Sequence, residues 1–451
     1  MCDMRTRQRY HRISISSSEE NVDNAFEFLM DILRRPNLGQ YVRHIECGKP
    51  TTRHMDYKEV EYERVLSSDD MSLVRKAVNQ GGFKGPKENR IVNMLMRRMN
   101  KTSGVFGERE TIVSPNIVSM AITHPSGSWC HSKMDFPLAE LLNHANACLE
   151  DTSYLRYLRN VYVINKSDST WSDDRFFLPM DFYNCLGLFE NLPSIESIRT
   201  DIMEDDPNSK FEAKDKSSNI SRISIHHSAV DSTYLARVIW SCKILKEFQN
   251  SIGGRASSEG GYCIFNPKTF IKAICRHKKT LEVLDVDVES QIHDLDIADE
   301  EHREELLNNY GSPFESSLEN ETVTFLESVW KYSGSLKEFV ALKRLSLGIK
   351  YLVYFAIGIS EKTNETKPKV KLVDCLPENL EYLCVRGYEK GENPEHDEQM
   401  NALMAFYQSG SSQLKEVKGF EKLIPHAEDV NDPDGDDHLL WSLEELGYET
   451  D

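Results

Sequence analysis

The chain has 451 residues, 39% hydrophobic and 28% charged, with a formal net charge of −19, a composition of folded, water-soluble proteins rather than of disordered or fibrous ones. No apolar run reaches the roughly 18 residues of a membrane span, and the arginine-containing N-terminus lacks the apolar core of a secretory signal. Ten cysteines without a C-x-x-C pair fit buried, reduced thiols in a cytoplasmic or nuclear protein better than a disulfide framework.

Residues 1–23 form a polar N-terminal segment in which Ile13 and Ile15 alternate like a strand. Phe28, Leu29, Ile32 and Leu33 predict a helix over 24–35, stopped by Pro36. Residues 50–86 carry no assignable pattern, 91–99 reads as helix and 101–115 as loop. Leu138, Leu141, Leu142, Ala145 and Leu149 predict a helix over 137–149. Asp231 is the expected N-cap of a helix ending at Cys242, with Leu235, Val238 and Ile239 inside. Asn266 and Pro267 start another, with Phe270, Ile271, Ile274 and Cys275 on its inner face. An acidic insertion, 289–321, reads as partly helical or disordered. A helix over 322–332, a lysine-rich loop over 361–372 and a helix over 399–408 follow. The acidic tail 426–451 ends in Leu439, Leu440, Trp441, Leu443 and Leu446, a short apolar helix suited to capping or docking.

Between these elements one pattern recurs: apolar, two free positions, apolar, one free position, apolar. It is clearest at Leu281/Leu284/Val286, Leu342/Leu345/Leu347 and Leu380/Leu383/Val385. Weaker copies lie at Val42/Ile45/Cys47, Ile117/Met120/Ile122, Leu158/Val161/Val163, Ile195/Ile198, Ile220/Ile223/Ile225, Leu245/Phe248 and Leu414/Val417. The last two apolar positions are two apart, which puts both on one face of a strand. Strand and helix in alternation argue for α/β. The repetition predicts an irregular leucine-rich-repeat solenoid over 24–425, with parallel strands on its concave face and helices on its convex face. Successive middle residues lie 25 to 75 positions apart, against about 20–29 in regular repeats, so insertions or unseen rungs are expected.

Solenoids of this kind bind other proteins. The residues flanking the inward pair face outward on the strand-lined side: Tyr162, Arg199, Arg222, His226, Gln249, Asp285, Asp287, Arg344, Tyr382 and Arg386. Tyr and Arg are frequent interface hot spots. The acidity is local, net −13 over 282–321 and −10 over 426–451, leaving +4 elsewhere. That argues against nucleic acid as a partner, which favours a basic face, and nothing points to a membrane. The phosphate-binding, dinucleotide, zincin and nucleophile-elbow signatures are absent, and no cofactor is expected. Cys130, His131, His144 and Cys148 have the wrong spacing for zinc, because the first pair is adjacent. His226, Ser228 and Asp231 could compose a hydrolase triad, but no nucleophile turn accompanies them. A non-enzymatic binding protein is the expectation; a hydrolase or metal-dependent enzyme using the His226 or Cys130 region is the alternative.

These rungs, with R-R-P-N-L-G-Q-Y-V-R-H-I-E at 34–46 and L-P-E-N-L-E-Y-L-C-V-R-G-Y at 376–388, resemble fungal leucine-rich repeat proteins of the F-box type. The resemblance implies a substrate-recognition subunit of a cullin-type ubiquitin ligase. Residues 1–23 are too short and polar to be the F-box itself, and 10–15 looks like the strand that follows it. Glu289, Tyr388 and Pro50 stand where the repeat expects Asn or Cys.

Overall fold

The computed structural model describes residues 4–15, 19–47, 60–99, 114–123, 137–147, 154–165, 176–206, 213–253, 265, 267–289, 336–357, 370–410 and 412–427. The strands in chain order are β1 (Arg12–Ile15), β2 (His44–Cys47), β3 (Val60–Glu63), β4 (Arg97–Met99), β5 (Ser119–Thr123), β6 (Asn160–Ile164), β7 (Leu178–Met180), β8 (Ser197–Asp201), β9 (Met203–Asp205), β10 (Arg222–Ser228), β11 (Glu247–Ile252), β12 (Val283–Asp287), β13 (Arg344–Gly348), β14 (Tyr382–Arg386) and β15 (Glu416–Lys418). Eleven of them build one parallel sheet in the order β1-β2-β5-β6-β8-β10-β11-β12-β13-β14-β15, which is chain order. Short sequential strands alternating with helices make this an α/β fold of the leucine-rich-repeat-like solenoid kind.

The middle apolar residues of the sequence pattern fall in one row. Ile45, Met120, Val161, Ile198, Ile223, Phe248, Leu284, Leu345, Leu383 and Val417 pair in succession across the sheet, with Ile13 of β1 as an eleventh member. Their side chains belong to one continuous core running from Tyr10 to Leu414. Burying each such side chain is worth about 1.5–3 kcal/mol. The third row has two polar members. Thr200 donates its Oγ1 to the Val163 carbonyl (3.0 Å). The buried Asn250 amide has no hydrogen-bond partner for either polar atom, at a cost of about 1–3 kcal/mol.

A hydrogen-bond ladder fixes the register just ahead of the strands. The carbonyls of Arg43, Val118, Arg159, Glu196, Ser221, Lys246, Glu282, Lys343 and Glu381 each accept two amides from the next rung, at 2.7–3.3 Å. Their side chains alternate in sign along part of this edge, and Arg159–Glu196 (3.8 Å), Lys343–Glu282 (3.4 Å) and Lys415–Glu381 (2.5 Å) are ion pairs between rungs.

The longest step in the series holds a subassembly. β3 and β4 pair antiparallel around the helices Ser68–Gln80 and Pro86–Met96. It is tied back to the Glu19–Arg34 helix by Arg34–Asp70 (2.9 Å) and by Arg64 lying 4.3 Å over the Phe26 ring. Here the expected helix over 91–99 holds as far as Met96, but Arg97–Met99 leaves it to pair with β3. The Glu19–Arg34 helix begins before the expected 24, and the 399–408 helix begins at Pro394 with Asn393 as N-cap. Asp231 caps Ser232–Ser241 as expected. Helices at Ser68–Gln80, Phe182–Phe189, Ile349–Ile357 and Leu372–Cys375 were not anticipated. The expected 322–332 helix, nearly all of the acidic insertion and the apolar patch at Leu439–Leu446 lie outside the described residues. Among the described residues, Cys47, Cys185, Cys242, Cys275, Cys375 and Cys384 are free thiols, and no helix is long and apolar enough to cross a membrane.

Leu345 sits mid-spine, fully buried between Leu284 and Leu383. Leu345→Ala is expected to cost about 2–5 kcal/mol, read as a lower midpoint in urea denaturation. A cost below about 0.5 kcal/mol, the level of an ordinary surface substitution, would contradict the shared spine.

Candidate functional site

Alternate strand residues leave the main core and face the other side of the sheet. On that side the structure gathers Asp285 and Asp287 of β12 with Arg386 of β14. β13, which lies between, places Ser346 and Gly348 beside them, so the guanidinium can cross it. Arg386 Nη2 donates to Asp285 Oδ1 (3.2 Å), and its Nε lies 3.8 Å from Asp287 Oδ2. Burial works against the charge on Arg386, but the two aspartates outweigh it and hold its pKa above the usual guanidinium value.

Asp287 is 4% exposed and has a second set of partners from far along the chain. His426 donates Nδ1–H to Oδ1 (2.7 Å), and the Ala427 amide donates to Oδ2 (2.6 Å). The carboxylate can only accept, so the proton sits on Nδ1. The Ile424 carbonyl accepts from the Gly387 amide (2.9 Å). Gly387 has φ of 63°, and a Cβ there would overlap the His426 ring.

Glu289 completes the group. Its Oε1 accepts from the Lys350 amide (2.8 Å) in the first turn of the Ile349–Ile357 helix, whose positive end favours an acidic group. Its Oε2 is buried with no hydrogen-bond partner and occupies the space a Cβ on Gly348 would need. Burial raises the Glu289 pKa to about 7.

Towards the centre of the sheet, Ser224 Oγ donates to Gln249 Oε1 (2.9 Å), and Gln249 also bonds the half-buried His226. Burial lowers the His226 pKa, partly offset by Asp285. Arg199 lies beside Ser224 in register. Closer to the ladder, Arg344 stacks 4.3 Å over the Tyr382 ring, and Lys418 Nζ lies 5.6 Å from the same ring. The exposed Arg222 stands between Glu196 (3.4 Å) and Glu247 (3.9 Å).

Nine of the ten residues expected on this face are thus at least partly exposed or joined to its polar network. Tyr162 is the exception in character: it faces the same side but is 6% exposed, packed with Ala121 and Ile164. The residues of the hydrolase alternative have separate partners. Ser228 is fully buried, its Oγ donating to the Ser251 carbonyl (3.5 Å), while Asp231 accepts from the Tyr234 amide (2.6 Å) as a helix cap. Cys130, His131 and Cys148 lie outside the described residues; His144 bonds the Tyr154 hydroxyl (2.9 Å). Among the described residues no three His, Cys, Asp or Glu side chains are grouped to hold a metal. Two shallow depressions, one at Arg43, Asn116 and Arg159 and one at Glu282, Lys343 and Glu381, lie on the ladder edge.

Sequence reasoning missed Glu289, His426 and Ala427. Glu289 looked only like the wrong residue at the Asn position, whereas its carboxyl bridges to the next rung as a hydrogen-bonding side chain there can. Tyr388, the second such position, is also buried and donates its hydroxyl to Asp397 (2.7 Å). No protein-family model matches the chain, and no curated protein matches it.

Glu289 gives the fold a pH dependence with a definite sign. Its folded pKa of about 7 lies above the ordinary 4.5, so the folded chain holds a proton that the unfolded chain has lost. That contribution is fully present below pH 4.5 and disappears as pH rises through 7. Glu289→Gln keeps an acceptor for Lys350 and removes the ionisation. Its thermal midpoint, relative to wild type, is expected to improve between pH 5 and pH 8; an unchanged difference across that range would show that Glu289 does not titrate as described.

Proposed function

We propose that the chain is a non-enzymatic interaction module that holds another protein on the strand-lined face. The observation that carries this reading is the Arg344–Tyr382–Lys418 stack standing on successive strands, with the exposed Arg222 three strands along the same face. Aromatic and guanidinium groups held in place by their neighbours lose little side-chain freedom on binding, and such groups dominate interface energetics. The two depressions on the ladder edge are open and shallow rather than enclosing. A broad, partly charged sheet face suits a protein surface instead. The resemblance to F-box-type repeat proteins extends the proposal to substrate selection for a cullin-type ubiquitin ligase.

Proximity labelling in the source cell tests both levels. The triple variant Arg222→Ala, Arg344→Ala, Tyr382→Ala is expected to lose the specific neighbours of the wild-type chain while keeping its circular dichroism spectrum. Recovery of a cullin adaptor with either chain supports the ligase role. Identical neighbour sets for a folded variant and the wild type would reject the strand-lined face as the binding surface.

A further inference from the structure

We propose that the Asp287 carboxylate is a docking point for a peptide that offers it one backbone N–H and one adjacent side-chain nitrogen donor, and that residues 424–427 of this chain fill it as a built-in competitor. This rests on the reading that the strand-lined face holds protein partners, and it names what one part of that face recognises.

The occupant is visible. Ala427 N–H and His426 Nδ1–H take one oxygen each of the same carboxylate, 139 and 140 positions from it in sequence. One segment thus satisfies both oxygens with a main-chain donor and a side-chain donor, a two-point recognition that another segment with His, Arg or Lys in that place can repeat. Gly387 makes room for the ring and adds a main-chain bond to Ile424. The segment is anchored at its root, where Phe420 stacks on Tyr388 (ring centroids 6.2 Å apart).

The occupant is also replaceable by its geometry. β15 ends at Lys418, three strands from β12, about 14 Å at the usual strand spacing. Residues 419–427 cross that distance with length to spare, and at its far end His426 and Ala427 bond Asp287. When they leave, Asp287 keeps among the described residues the 3.8 Å contact to Arg386, while Asp285 holds the closer one. A carboxylate in so buried a position is costly without donors, so its empty state favours a new occupant with the same donor pair. Beside it lie two further buried polar atoms without hydrogen bonds, Ser346 Oγ and Glu289 Oε2, and the ring of His226 stands near Asp285 on the same face.

The probe is a fluorescein-labelled synthetic peptide with the sequence of residues 420–429, FEKLIPHAED, titrated by anisotropy into the purified full-length chain. His426→Ala with Ala427→Pro removes both tethered donors. That variant is expected to bind the peptide at least about tenfold more tightly than wild type, and adding Asp287→Asn is expected to abolish the gain. Equal binding by all three chains, or none by any, would make the contact a fixed brace and overturn the proposal. Amide exchange in the unmodified chain gives a second reading that needs no variant to fold. The Ala427 amide is expected to exchange faster than the strand amides of β13 and β14; exchange only together with them would also overturn it. Neither result depends on Arg222, Arg344 or Tyr382, so failure of the wider binding face and failure of this site are distinguishable.

Discussion

Register is the constraint on which the molecule depends. Side chains alternate along a strand, so a slip of one residue between neighbouring strands would turn a whole apolar row outward. Two devices prevent the slip. Inside, Ile13 to Val417 form an unbroken row whose members touch the same core. At the ladder edge, nine successive carbonyls each take two amides from the next rung. No rung buries its own apolar face alone, so each is stable only through its neighbours. Irregular spacing is then harmless: extra chain between rungs loops away, as the β3–β4 subassembly does, without disturbing the row.

Charge works on a different scale from the core. The exposed pairs Arg159–Glu196, Lys343–Glu282 and Lys415–Glu381 are screened by water and contribute little to stability. Their alternation favours one register over another more than it holds the sheet together. The buried charges on the strand-lined face are another matter. Asp287 lies where water is scarce and is held by Arg386 and by residues 424–427, while Arg386 also pairs with the more exposed Asp285.

The sheet was legible because its signal is periodic. Leu284, Leu345 and Leu383 carry the full triplet and announce β12, β13 and β14. Even Ile45 and Val417, in degraded copies, stand in the right row. Helices were less legible where the pattern is uniformly apolar: Phe182–Phe189 and Ile349–Ile357 are buried on most sides and show no polar face to mark a helical period. Ser68–Gln80 did carry a start signal, Ser67 followed by Asp69 and Asp70, hidden in a stretch that otherwise looked like loop. Arg97–Met99 was misread because tertiary pairing with β3 overrides local preference. Outward orientation of the site residues followed from the same period of two. What the sequence could not show was contact across long separations. Nothing local ties His426 to Asp287, or lets the small side chains of Ser346 and Gly348 be seen as the gap through which Arg386 reaches Asp285.

The most direct test of the continuous spine is a set of pulsed-dipolar distances along the ladder. Spin labels go on Lys415 paired in turn with Lys343, Lys246 and Arg159, introduced through a non-canonical amino acid so that the ten cysteines stay untouched. These positions immediately precede β15, β13, β11 and β6, so the pairs are two, four and seven strands apart. The separations should grow steadily, by about 5 Å per strand. Distances that do not rise with strand count, or that fall into two unrelated groups, would mean that the rungs belong to separate bodies and would contradict the account.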